Sequence, residues 1–157
     1  MIRAMVFDLD GTLVQTERLK ALSYAHAAVE LCPYEISETE VINAFKDVVG
    51  LSRRDVATTL VERFNLIEKS RGRMDDFDVN APWQAYVQVR LQYYREMLSD
   101  PDIIRENQWP HTMALLDRAR QANCKVALAT MSHREQVERV LEILDLSDAF
   151  DTVASRH

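Results

Sequence analysis

The run Arg3-Ala4-Met5-Val6-Phe7-Asp8-Leu9-Asp10 is short and apolar, and it stops abruptly at two carboxylates and Gly11. An apolar stretch of this length, bounded by a residue that allows a sharp turn, reads as a buried strand whose C-terminal end holds something polar. Beyond Gly11 the period becomes helical and stays so to about residue 100. Val41, Ile42, Phe45, Val48 and Val49 fit one helical face, and Val56, Leu60, Val61 and Phe64 fit the next, with Ser52 placed to cap and Asp55 three residues later. After Pro82 a longer helix is predicted from the apolar stripe Trp83, Tyr86, Val87, Leu91, Tyr94, Met97 and Leu98, on which Arg90 also falls. Residues 68–76 have no apolar period and read as a solvated loop without function.

From Pro110 the pattern changes again. A helix carrying Met113, Leu115, Leu116 and Ala119 leads to a strand over Lys125–Ala129, followed by Thr130-Met131-Ser132. A second helix with Val137, Val140, Leu141 and Leu144 leads to a third apolar strand from Phe150 to Ala154. Strands alternating with amphipathic helices imply parallel βαβ units, in which ligands sit beyond the C-terminal ends of the strands. The expected fold is α/β: a Rossmann-like parallel-sheet core from residues 1–15 and 100–157, with an α-helical cap inserted over 16–99. Asp8, Asp10 and Thr130 all fall at strand ends.

Of 157 residues, 25 are acidic and 19 basic, a formal charge of −6. That balance argues against a protein that grips nucleic acid through its overall field, which needs a basic face. No apolar run approaches the roughly 18 residues of a membrane-spanning helix, and acidic residues come too early for a secretory signal. The chain is expected to be cytoplasmic, with no nucleic-acid or membrane partner. Cys32 and Cys124 lack metal spacing and read as reduced structural thiols, while His26, His111 and His133 are scattered without ligand spacing.

Two aspartates at i and i+2 after an apolar strand make a concentrated negative site. A calcium loop is excluded, because Thr12 stands where the third acidic ligand belongs and Leu19 where the closing glutamate belongs. A nucleotide-sugar transferase DxD and a pair of merely solvated carboxylates both remain open on this motif alone.

Taken with its context, the motif resembles a known family. Phe7-Asp8-Leu9-Asp10-Gly11-Thr12-Leu13, Ala129-Thr130-Met131-Ser132 and Phe150-Asp151-Thr152-Val153 together resemble the haloacid dehalogenase superfamily. The likeness is greatest to the β-phosphoglucomutase and phosphoglycolate-phosphatase branch, whose helical cap lies between the first two motifs. The resemblance implies a Mg²⁺-dependent phosphatase of a small phosphorylated metabolite such as a sugar phosphate. Asp8 would be the nucleophile and Asp10 the general acid and base, with the Asp8 carboxylate and the Asp10 carbonyl on the metal. Thr130 would hold a phosphoryl oxygen, with Gly11 and Thr12 of the first loop also on the phosphate. A carboxylate attacks a phosphate only when a cation offsets their repulsion, which agrees with these roles. The competing role for Thr130 is to cap a helix starting near Ser132-His133, and the two roles are compatible.

In the cap, Arg53 follows Ser52 as the substrate-contacting arginine does in mutase-like relatives, against the alternative of an exposed helix-start arginine. Arg90 is expected either to pair with a cap carboxylate or to point at the site between the domains. Gln15 departs from the aspartate the family usually has there, and Lys20 stands where the mutases carry a histidine that assists phosphoryl transfer; loss of that histidine favours hydrolysis over phosphomutase activity. The family's downstream lysine and acidic metal motif are not found before His157. The chain is therefore expected to be C-terminally incomplete, or completed by another chain. Its first strand would be an exposed edge, able to self-associate if the chain truly ends at 157.

Overall fold

The computed structural model describes residues 2–156, arranged as two compact units, 2–16 with 98–156, and 17–97. The elements in chain order are β1 (Ala4–Phe7), α1 (Thr16–Leu31), α2 (Glu38–Phe45), α3 (Arg53–Arg63), α4 (Ile67–Arg71), a 3₁₀ turn (Asp75–Phe77), α5 (Pro82–Ser99), α6 (Pro101–Glu106), α7 (Pro110–Gln121), β2 (Lys125–His133), α8 (Arg134–Ile143) and β3 (Thr152–Arg156).

In the first unit, the described residues form a parallel sheet in the order β1-β2-β3, with Phe7 opposite Leu128 and Leu128 opposite Val153. Sequential order with right-handed crossovers puts α7 and α8 on the same face. That face carries the buried Phe7, Val126 and Leu128, which Leu116 and Ala119 of α7 and Val137, Val140 and Leu141 of α8 accompany in the core. The opposite face is open: Val6 is 70% exposed, and Ala4, Val6, Ala127 and Thr152 line a shallow groove. The first strand is thus a half-covered edge rather than the buried strand its composition suggests. The third strand runs from Thr152, two residues later than the apolar pattern, and is largely exposed.

The second strand is longer than expected. It continues past Ala129 to His133, where it pairs with Arg156 across an irregularity in the ladder. The following helix starts only at Arg134, and its N-cap residue, His133, makes no side-chain cap.

The second unit is all-helical. Tyr24, Ala25 and Ala28 of α1, Val41 and Phe45 of α2, Leu60 and Val61 of α3 and Tyr86 and Val89 of α5 form one apolar cluster. Four buried alanines on α1 leave room for close helix approach, and the buried Tyr86 hydroxyl donates to the Tyr24 carbonyl at 2.7 Å. The α2 helix begins with a full capping box between Ser37 and Glu40, and the Ser52 hydroxyl accepts from the Asp55 amide at 3.2 Å as its spacing predicts. Two expectations fail here. Val49 is exposed, because α2 ends at Phe45 and the chain turns. Residues 68–76 are mostly exposed, as expected, but they form α4 and most of a 3₁₀ turn rather than a loop. Between these, Arg73 donates to Glu30 of α1 and to Asp76 at 2.7 and 2.6 Å. Ion pairs rather than apolar periodicity hold that segment, so a hydrophobic pattern does not reveal it.

Candidate functional site

The turn after β1 is set by Gly11, whose φ of +73° lies in the left-handed region that glycine adopts without strain. The amides of Leu13 and Val14 both donate to the Leu9 carbonyl, at 3.0 and 3.1 Å. The segment is tied down from the far side as well. Gln15 donates to the Asn107 carbonyl at 2.7 Å, and Trp109 donates to the Leu13 carbonyl at 2.8 Å. With Leu9, Leu13 and Val14 essentially sealed from solvent, the loop is anchored at every second or third residue. The two aspartates sit on that anchored loop. Asp8 is exposed, and its Oδ1 accepts the Leu9 amide at 2.7 Å, while Asp10 is half-buried.

Parallel pairing of β1 with β2 brings the second motif alongside. Asp10 Oδ2 accepts hydrogen bonds from the hydroxyls of Ser132 and of Thr130, the latter at 3.4 Å. Thr130 Oγ1 in turn accepts the Ser132 amide at 3.2 Å. The structure therefore brings Asp10, Thr130 and Ser132 together, with Asp8 two residues before Asp10. Thr130 does not cap a helix: its oxygen bonds an amide that still lies in β2. The amides of Gly11 and Thr12 are engaged within the loop, with Val14 and Leu9 carbonyls at 2.8 and 3.3 Å.

Ser132 had no assigned role in the sequence. Its signal is the Thr-x-Ser spacing, which puts both hydroxyls on one side of a strand only if the strand continues through them. Ending it at Ala129 hides that relation.

The cap candidates lie in the helical unit. Arg90 is only 5% exposed, and its guanidinium lies over the rings of Tyr24 and Tyr94, 5.0 and 4.4 Å from their centroids. No carboxylate among the described residues lies within ion-pair distance of it, and its buried Nε has no hydrogen-bond partner. The expected pairing with a cap carboxylate is thus replaced by stacking on two tyrosines. Burial pushes the Arg90 pKa below its ordinary value and that of Tyr24 above, while the nearby Arg53 charge acts on both. Arg53 itself is exposed at the start of α3. Lys20 is bound to Glu17 one turn earlier on α1, at 2.7 Å.

For a metal, the described residues contain no group of three or more His, Cys, Asp or Glu side chains placed to hold an ion. The Asp8 carboxylate and the Asp10 carbonyl are two hard oxygen donors. They fit Mg²⁺, which keeps several waters and often takes only one or two carboxylates together with substrate oxygens. Both cysteines are free thiols, and no helix among the described residues is long and apolar enough to cross a membrane.

A parallel βαβ core, with paired aspartates beyond one strand and hydroxyls at the end of its neighbour, defines an α/β protein with a polar site at the carboxyl ends of its strands. A model of the haloacid dehalogenase-like hydrolases matches residues 2–157, and the chain belongs to that family. A Caldanaerobacter subterraneus protein assigned as the pyrophosphatase PpaX is 24% identical over 152 residues, covering 97% of this chain and 57% of the relative. Among solved structures, a Thermotoga maritima protein assigned as a β-phosphoglucomutase superposes with a TM-score of 0.64 at 20% identity, over 98% of this chain and 61% of that one. One from Haemophilus somnus, assigned as a phosphoglycolate phosphatase, gives 0.60 at 18%, over 98% and 62%. The chain thus spans about three-fifths of the length of these relatives.

Proposed function

We propose that the protein to which this chain belongs is a Mg²⁺-dependent phosphatase of a small phosphorylated metabolite, acting through a phosphoaspartate. The observation that carries this reading is the cluster itself: an exposed Asp8 two residues from an Asp10 whose Oδ2 accepts two hydroxyls, on an anchored loop at a strand end. Asp8 attacks phosphorus, and the bond from phosphorus to the ester oxygen breaks as Asp10 donates a proton to the leaving alcohol. Asp10 then takes a proton from water, the resulting hydroxide attacks phosphorus, and inorganic phosphate leaves with Asp8 restored. Bound Mg²⁺, held by the Asp8 carboxylate and the Asp10 carbonyl, supplies charge neutralisation for that displacement. Thr130 holds a phosphoryl oxygen, exchanging its long contact to Asp10 for one to substrate. Gly11 and Thr12 shape the phosphate side of the loop.

Arg53 and Arg90 supply positive charge in the cap for a second anionic group on the substrate. Arg90 supports this best, because its buried Nε has no hydrogen-bond partner and stacking on Tyr24 and Tyr94 returns only part of the cost of burying a guanidinium. Lys20 is the remaining cap candidate, and its place where the mutases carry a histidine favours hydrolysis over isomerisation. The composition favours a cytoplasmic protein.

The test is an assay of the natural full-length product against phosphorylated metabolites, including pyrophosphate because the relatives carry that name. Release of inorganic phosphate supports hydrolysis, and an isomerised sugar phosphate indicates a mutase. Wild-type turnover in Asp8→Asn overturns both.

A further inference from the structure

The Asp10 carboxylate is held by two hydroxyls on the same strand, and they are not equivalent. Ser132 makes the closer contact to Oδ2, while Thr130 reaches the same oxygen at 3.4 Å and is itself tethered by the Ser132 amide. A threonine that binds a phosphoryl oxygen turns its O–H toward that oxygen and away from Asp10, because a hydroxyl has one hydrogen to donate. Ser132 would then be the one remaining hydroxyl of the two on Asp10.

We propose that Ser132 is the positioning residue for Asp10, fixing the carboxyl rotamer so that the acid faces the leaving oxygen while Thr130 serves the phosphoryl group. This rests on the phosphatase reading above. It adds a division of labour between two hydroxyls that lie two residues apart on β2. Their placement follows from the strand: i and i+2 share a face, and the extension of β2 to His133 keeps Ser132 on the Asp10 side. Had the helix begun at Ser132, its hydroxyl would have been free to cap instead. The side chain is half-buried and donates to an acceptor 122 residues away in sequence, so local turn chemistry does not explain it.

A residue that acts through the general acid matters most when the leaving group needs a proton. The experiment compares kcat/KM of the natural full-length product on an alkyl phosphate and on 4-nitrophenyl phosphate, whose leaving group departs unprotonated. With Ser132→Ala, the alkyl phosphate is expected to lose about 100-fold, the scale of a displaced catalytic group. The aryl phosphate is expected to lose no more than about threefold, since proton donation contributes little there. Ser132→Thr keeps the hydroxyl and is expected to restore most of the alkyl activity. Equal losses on both substrates, or a rise in KM alone, would overturn the proposal and make Ser132 a substrate contact or a structural residue. Full activity in Asp8→Asn would instead overturn the phosphatase reading. A readout that needs no turnover is the Asp10 rotamer in crystal structures of the variants. It is expected to be retained in Ser132→Thr and changed in Ser132→Ala, and an unchanged rotamer in Ser132→Ala counts against the proposal.

Discussion

Arg90 sets two effects against each other at the scale of a single side chain. Burying a guanidinium with an unpartnered Nε costs stability, and stacking on Tyr24 and Tyr94 returns part of it, on the order of 2 kcal/mol for a desolvated cation–π contact. Replacement by an apolar residue of similar volume removes both terms at once, as happens when buried ionic groups are exchanged for hydrophobic ones. For Arg90→Met the expected result is therefore a stability unchanged or higher by about 1 kcal/mol in denaturant melts. If Arg90 serves the anionic group as proposed, the KM of the full-length product is expected to rise about tenfold or more, with kcat nearly constant. A destabilised variant with unchanged KM would leave Arg90 with a packing role only. The residue was visible in the sequence as a misfit on an apolar stripe. Its resolution by two tyrosines was not, because Tyr24 lies 66 positions away on another helix. The placement of Asp8 and Asp10 just beyond a strand was readable from their spacing and context, whereas the contact of Ser132 with Asp10 required knowledge of where the next strand ends.

The elements were readable where apolar periodicity carried them and obscure where charge did. Helices α3, α5 and α8 follow their stripes, with Leu60, Tyr86 and Val137 fully buried, while in α7 Leu116 and Ala119 are buried but Leu115 turns outward and is 40% exposed. By contrast, β3 begins at Thr152, and its register is set by the residue before it. Asp151 accepts from the Val126 amide and from Lys125 Nζ, both at 2.8 Å, and returns its own amide to the Val126 carbonyl at 2.8 Å. The Lys125 ammonium, and then the Val126 amide, hold the Asp151 carboxyl below its ordinary value. A depressed folded-state pKa contributes stability above the unfolded value and loses it as pH falls through the folded one. The difference in unfolding midpoint between wild type and Asp151→Asn is therefore expected to be full at pH 6 and to shrink below about pH 4. An equal difference at pH 6 and pH 3 would show that the charge of Asp151 has no part in holding β2 to β3.

For the whole molecule, the proposed phosphatase reading turns on the number of fixed charges around the transferring group. On that reading the Asp8 carboxylate and the Asp10 carbonyl are the two protein oxygens offered to Mg²⁺, and the described residues hold no group of three or more His, Cys, Asp or Glu side chains placed to bind a metal ion. An ion held by two protein oxygens leans on water and substrate, and so binds weakly until a phosphate arrives. Nor is a lysine among the hydrogen-bond partners of Asp8, Asp10, Thr130 or Ser132, so charge building on the phosphoryl group lacks a fixed cation from these residues. Missing one preorganised charge partner typically costs on the order of 10²–10³ in turnover, and the deficits compound without multiplying cleanly. The mass-verified 157-residue chain is therefore expected to hydrolyse an aryl phosphate with Mg²⁺ at no more than about one-hundredth of the rate of a product spanning its relatives' full length. Asp8→Ala serves as the control for contaminating phosphatases. Robust Mg²⁺-dependent activity of the 157 residues that disappears in that control would mean that a second copy, or a residue not recognised in this site, completes the charge around the phosphate.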